Sequence, residues 1–213
     1  KLSLGLTVMG ITQQVDTKLK LNVPLVAGGV VEDPDKDIGV TINTNQHGIL
    51  SAVAGLSVEL IDGLSFAASY QFPFKVAGKG TASLEPGKDV GIVDFVGDQV
   101  SVKLNMPSIL RTAFRYTAED KSWDAELAFV FENWSVQQVI EFDASQIQVS
   151  ATDYGIDQPV GQLLILPNWR DTYSIRLGGS VVVVPDSVVA RAGAFFERGA
   201  IDEEYLVKYT VDR

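Results

Sequence analysis

Between Asp98 and Phe142 the chain alternates apolar and polar residues down one arm and, after a tight turn, up another. On the first arm Val100, Val102, Leu104, Met106, Leu110, Phe114 and Tyr116 share a parity, and Gln99, Lys103, Asn105, Arg111 and Arg115 hold the other. A period of two is the mark of a strand with one apolar and one polar face. The parity holds through Pro107, which predicts one long strand. On the second arm Trp123, Ala125, Leu127, Phe129 and Phe131 are the apolar set. Closing Glu119 against Ser122 around Asp120-Lys121 sets Phe114 opposite Leu127 and Tyr116 opposite Ala125. It also sets Arg115 opposite Glu126, a favourable cross-strand pair. At Asn133 the parity shifts to Trp134, Val136, Ile140 and Phe142, as one extra residue in a β-bulge would cause.

The same pattern places five more strands. The first, about 1–21, turns Leu2, Leu4, Leu6 and Val8 outward. The second, about 48–60, carries Leu50 to Val58, and the third, about 64–84, carries Phe66, Tyr70, Phe72, Phe74 and Val76. The sixth, about 172–184, and the seventh, about 187–200, close around Pro185-Asp186. Ile61-Asp62-Gly63 is a hairpin loop with glycine where a positive φ is wanted. Connections alternate between long (22–43, 85–97, 143–170) and short (61–63, 120–121, 185–186), and the tail from 201 starts a further loop.

Alternation alone leaves two folds open. In a soluble sandwich the apolar face meets a core; in a membrane barrel it meets lipid and the polar face lines a lumen. Strand length favours the barrel, since soluble strands run about 5–6 residues and spanning strands about 9–11. Trp123 and Trp134 bracket the apolar run; at roughly 3.3 Å per residue and about 45° of tilt it rises roughly 26 Å, close to the ~25 Å band between aromatic girdles. Short periplasmic turns and long outer loops are also the barrel's habit, so strand one rises outward. The expected fold is all-β: an antiparallel up-and-down transmembrane barrel, of which these strands are a part. About seven strands is odd for a bacterial single-chain barrel, and Lys1 leads straight into a strand with no signal peptide. Residues 1–213 are therefore expected to be a piece of one larger barrel domain.

Composition narrows the function. Hydrophobic residues make up 46% of the chain and mean hydropathy is +0.15, yet no run approaches the ~18 apolar residues of a membrane helix. A net charge of −10 argues against nucleic acid as a partner. There is no cysteine, hence no disulfide framework or thiolate chemistry. Asp33, Asp35, Asp37 and Gly39 imitate a calcium loop, but the glycine is one place late and Thr44 stands where the closing Glu belongs. A solvated acidic loop is the simpler account. His47, the single histidine, has no second ligand for zinc and no G-x-S-x-G elbow for a triad. Gly78-Lys79-Gly80-Thr81 has Pro73 where a phosphate loop needs its leading glycine, and the sequon Asn133-Trp134-Ser135 falls on a strand. No enzyme and no cofactor is expected.

The polar face carries the remaining chemistry. Lys75, Lys103, Arg111, Arg115, Arg176 and Arg191 share it with Glu59, Asp124, Glu126, Glu132 and Glu197. Mutual pairing would hold a wet lumen in shape; alternatively one or two cations receive an anionic head group. Apolar Ile109, Val130 and Phe195 on the same face suit a ligand with an acyl or aryl body. The candidate ligand residues are Arg111, Arg115, Arg176, Arg191 and Phe195, with Arg176 or Arg191 beside Phe195 across the last hairpin.

The runs MPSILRTAFRY, Ser122-Trp123 and Phe131-Glu132-Asn133-Trp134-Ser135, with Trp169-Arg170-Asp171 and TYSIRLGGSVVVVPDSVVARAGAFFERGAI, resemble the FadL/TodX family of outer-membrane transporters. Arg176-Leu177-Gly178 and Arg191-Ala192-Gly193 match its paired Arg-x-Gly strands. The proline expected after the second is missing at Ile201-Asp202. The likeness is strongest over 98–201. It implies a barrel of about fourteen strands, an N-terminal hatch and passive passage of long-chain fatty acids or aromatic hydrocarbons with lateral release. The hatch, the remaining strands and the lateral opening are expected outside this chain. Implied partners are outer-membrane lipid, lipopolysaccharide and a hydrophobic small molecule, for a monomeric barrel in the outer membrane of a Gram-negative-type bacterium. The alternatives are a general porin for small hydrophilic solutes and a soluble β-rich binding module.

Overall fold

A computed structural model describes residues 1–22, 37–88, 94–151 and 156–201. The strands are β1 (Leu2–Asn22), β2 (Asp37–Ile61), β3 (Leu64–Gln71), β4 (Phe74–Pro86), β5 (Asp94–Val96), β6 (Gln99–Met106), β7 (Ile109–Thr117), β8 (Trp123–Glu132), β9 (Ile140–Asp143), β10 (Gln148–Ala151), β11 (Ile156–Pro159), β12 (Gln162–Ile165), β13 (Thr172–Val184) and β14 (Val188–Glu197). Every described ladder is antiparallel. The lower wall runs β1-β2-β3-β7-β8-β13-β14, and above it the same courses continue as β1-β2-β4-β6-β9-β12. This is an up-and-down sheet in meander order, open at β1 and β14, each of which has one partner among the described residues. The register of the central hairpin is as expected: Phe114 faces Leu127, Tyr116 faces Ala125 and Arg115 faces Glu126.

The short turns sit at one end. Asp62-Gly63 joins β2 to β3 with Gly63 at φ +78°, where a Cβ would run into the Thr117 carbonyl oxygen; Thr117 N donates to the Gly63 carbonyl at 2.8 Å. Gly63→Val should cost about 1–3 kcal/mol, the usual strain of a side chain forced into such a conformation, and urea unfolding of the refolded protein from lipid would register it. In the next turn Ser122 donates to Asp120 Oδ1 from both N and Oγ, at 3.0 and 2.6 Å. These bonds hold the Asp120 carboxyl below its ordinary value.

Several strands expected to be continuous are broken, and the breaks line up. The third course stops at Phe72-Pro73, between β3 and β4, and the fourth at Pro107-Ser108, between β6 and β7. Proline lacks the N–H that a central ladder needs. On the fifth course the shift at Asn133 is a 3-10 turn, Trp134–Val136, rather than a bulge. The expected loop 143–170 hides β10, β11 and β12, the last leading through Pro167 to β13. On β1 and β2 the ladder slips between Ile11 and Gln13, with Gly48 at φ +73° opposite. The second strand begins at Asp37, well before the expected 48. The calcium-loop imitation falls largely outside the described residues.

The common level has a cause. Paired residues point to the same side of a sheet, so the ladders carry orientation from strand to strand. Below the seam Leu4, Leu56, Phe66, Phe114, Leu127, Leu177 and Ala194 share the convex side; Leu4 is 77% exposed. Above it Ile42, Ala82, Val100 and Val102 point to the concave side and are buried. Ile42, Ala82 and Val100 form a small core with Val40, Ile38 and Ile147, onto which Leu84, Phe95 of β5, Phe142 and Ala144 pack. Even residues on the third and fourth courses are mainly apolar on both sides of the seam, but the half-turn at each proline sends them outward below and inward above. That corrects the faces of Val76, Val100, Val102, Leu104 and Met106, expected outward, and of Lys75 and Lys103, expected in the lumen. Lys103 lies on the outer side of this dome, paired with Glu141 at 3.0 Å.

Candidate functional site: the concave face of the lower wall

The lower wall curves around an open trough of about 1020 Å³ that reaches from Ser3 and Gly5 on β1 to Arg191 on β14. Its floor is the odd parity of β1, β2, β3 and β7 and the even parity of β8 and β13. Small residues (Gly5, Gly55, Ala67, Ser69, Ala113, Ala128) make the middle of that floor and leave the volume to a guest or to water. All five candidate ligand residues stand on this face, in two groups and one singleton.

Near the short turns Arg115 Nη2 lies 3.3 Å from Asp124 Oδ2, and Ser180 Oγ donates to the same oxygen. Arg191 faces Ser180 in the ladder, beside this cluster. Arg115 therefore pairs with Asp124, not with Glu126 directly opposite. Toward the seam Arg176 faces Phe195, donates from Nε to Ser174 Oγ at 3.3 Å and lies 3.6 Å from Glu197. Phe195 is 75% exposed. Arg176 is thus the arginine beside Phe195, and Arg191 stands four residues down β14, roughly 13 Å away at strand spacing. Arg111 is the singleton. It faces Ser69 and Val130, with Ile109 and Ala113 next on its side of β7, and makes no ion pair among the described residues. Glu132, diagonal to it, accepts from Trp134 Nε1 at 2.7 Å.

A second feature lies where the wall meets the seam. β2 pairs with β3 up to Val53–Gln71 and resumes with β4 at Asn45–Lys79, in one unbroken register. Neither ladder includes the rungs between, residues 46–52 against 72–78, where Phe72 N donates to the Ala52 carbonyl at 2.9 Å. Two side-chain bonds cross the same stretch: Gln46 Oε1 accepts from Ala77 N, and Ser51 Oγ donates to the Phe72 carbonyl at 3.3 Å. Leu50 and Phe72 are exposed on the convex side of this gap, and Ile49, Ser51 and Val76 are buried. None of these residues stood out in sequence; the signals for them are the glycine after His47 and the Phe-Pro-Phe at 72–74.

The family model for outer membrane protein transport proteins (OMPP1/FadL/TodX) matches residues 1–206. The chain belongs to this family. A search of curated proteins finds no match. Among solved structures, a FadL homologue of Pseudomonas aeruginosa superposes with a TM-score of 0.69 at 16% identity, covering 94% of this chain and 46% of that one. The toluene transporter TodX of Pseudomonas putida gives 0.60 at 17%, covering 93% and 51%. The toluene transporter TbuX of Ralstonia pickettii gives 0.62 at 14%, covering 93% and 52%. At these identities the likeness speaks for the fold: an antiparallel outer-membrane barrel, of which this member spans about half the length of the solved relatives. The family resemblance reaches beyond residues 98–201 to take in the N-terminal strands as well.

Proposed function

We propose that the chain forms half of a passive outer-membrane transporter for hydrophobic compounds, and that its cargo leaves sideways through the gap between β2 and β4. The observation that carries this reading is the interrupted ladder over 46–52 and 72–78. Backbone groups in a lipid-facing wall are paired almost without exception, because lipid offers them no partner. Here the ladder lapses over several rungs with the register intact, and two side-chain bonds cross the gap. A strand pair that opens without slipping suits a path between trough and lipid. Apolar Leu50 and Phe72 give it a lip on the membrane side. The lateral opening, expected beyond this chain, finds a candidate within it.

Two of the solved relatives, TodX and TbuX, are toluene transporters. For this chain the class is broader, an acyl or aryl body, since the trough floor has small residues with apolar Val130, Ile109 and Phe195 above them.

A reversible lock tests the route. His47→Cys with Ala77→Cys places two exposed thiols on one rung of the gap, in a chain without cysteine. In the full-length protein, oxidation or a short bis-thiol reagent should reduce uptake of a long-chain fatty acid or toluene to background, and cleaving an oxidised link should restore it. Unchanged uptake with the link formed would exclude the β2–β4 gap. Large, steady ion conductance without hydrophobic uptake would favour a porin.

A further inference from the structure

The outer side of the dome carries three lysines on two adjacent strands. β4 pairs with β6 as Lys75–Asn105, Ala77–Lys103 and Lys79–Ser101. Lys103 is therefore diagonal to both Lys75 and Lys79, roughly 7–8 Å from each at the backbone. All three are exposed. Lys103 shares its charge with Glu141, 3.0 Å away, but Lys75 and Lys79 make no ion pair among the described residues. The other carboxylates of this side are engaged or distant. Asp143 accepts from Ser145 N and Oγ at 3.0 and 2.6 Å, and Asp16 accepts from Gln14 at 2.9 Å. Glu85 stands six residues beyond Lys79, opposite Gly39.

Like charges held close on a sheet repel one another, and an anion over the triangle would relieve them. Three lysines less Glu141 leave two positive charges. A carboxylate brings a single negative charge and leaves one of them uncovered. A phosphate monoester brings about −1.5 to −2 and several acceptor oxygens, which three separate ammonium groups can share.

The depth of the triangle names what carries the phosphate. Below Lys75 on the same convex side are Phe72 and Leu50, both exposed, then Tyr70, whose ring meets Phe72 edge-on at 5.1 Å. These belong to the lipid-facing band, so the hydrocarbon ends just beneath the lysines. The short periplasmic turns lie at the far end of the wall, which puts the lysines at the head groups of the outer leaflet.

We infer that Lys75, Lys79 and Lys103 form a docking site for the phosphate-monoester head of an outer-leaflet lipid, with its acyl chains against Phe72 and Tyr70. A lipid held there stands in front of the β2–β4 gap, which Lys75 borders. The inference needs the wall's orientation in the membrane and does not rest on the transport reading.

The test titrates the full-length protein in detergent with diphosphoryl lipid A and reads the complex by native mass spectrometry. Three proteins are compared: wild type, Lys75→Gln with Lys79→Gln, and Lys18→Gln with Lys20→Gln. The last pair removes equal charge from β1, farther up the same side. Wild type and the β1 pair should each retain one lipid A. The Lys75/Lys79 pair should bind it about tenfold to thirtyfold more weakly, near fivefold for each lysine at a charged membrane surface. Dephosphorylated lipid A should bind all three proteins equally weakly. Undiminished retention by the Lys75/Lys79 pair, or an equal loss in the β1 pair, overturns the inference. Complete displacement of lipid A by excess inorganic phosphate would make this an ion site and overturn the lipid as its occupant.

Discussion

Arginine at Phe129 should cost the full-length barrel about 2–4 kcal/mol of folding stability, and arginine at Val130 about 1 kcal/mol or less. The two residues are chain neighbours on β8 and differ only in the side they face. Phe129 points outward between Thr112 and Ile175, with its ring stacked on Tyr173 at 6.5 Å. A guanidinium there enters the middle of the lipid-facing band. Val130 points into the trough between Arg111 and Ser174. Water reaches it there, and the remaining penalty is repulsion from Arg111 directly opposite, partly offset by Glu132 two residues on. Urea titrations of folding into lipid vesicles would rank them. Equal costs, or the reverse order, would mean that convex and concave sides have been exchanged.

Arg111→Gln should weaken uptake of a carboxylate-headed amphiphile about tenfold to hundredfold, the range for losing one charge-assisted hydrogen bond, and leave an aromatic hydrocarbon untouched. The reason is the bookkeeping of charge on the trough floor. Arg115 is engaged by Asp124 and Arg176 by Glu197, and Arg191 stands beside Asp124 through Ser180. Arg111 is set among small and apolar residues and makes no ion pair among the described residues, and its diagonal neighbour Glu132 is engaged by Trp134. An anionic head that settles on it gains a charge-assisted contact without displacing an acid. The comparison is uptake at limiting concentration by cells carrying Arg111→Gln or the pair Arg176→Gln, Arg191→Gln. If the pair fails and Arg111→Gln does not, the head group belongs beside Phe195 instead.

The lower wall was legible because its rules are local. A period of two with lipid on one side writes every spanning strand plainly, and the turn at Asp120-Lys121 fixes the register from which Phe114–Leu127 and Arg115–Glu126 follow. The dome was not legible for a physical reason. Val100, Val102, Leu104 and Met106 keep the parity of Leu110 and Phe114, so the sequence shows no change where the environment inverts; Pro107 is the only sign, and alternation running through it argued against a break. Asp37 to Gln46 reads as loop because threonine and asparagine dilute its alternation, although Ile38, Val40 and Ile42 are core. β10 to β12 are too short for a period to emerge. On the floor, sequence put the arginines on one face but could not say which carboxylate each would choose. Arg115 prefers Asp124, two residues from its ladder partner, because Ser180 orients that carboxylate.

The seam has a consequence for how the protein sits vertically. A barrel with one apolar side from end to end can slide along the bilayer normal by a rung at little cost, adjusting to thin or thick membranes. This wall cannot. Above the prolines its outer surface carries Lys75, Lys103, Glu85 and Glu141, and one rung of sinking would push the first of these into hydrocarbon. One rung of rising would lift Phe72 and Leu50 into water. The side exchange at Phe72-Pro73 and Pro107-Ser108 is therefore a waterline, marked by the chain itself, and it keeps the gap between β2 and β4 at one depth, the rim of the acyl region.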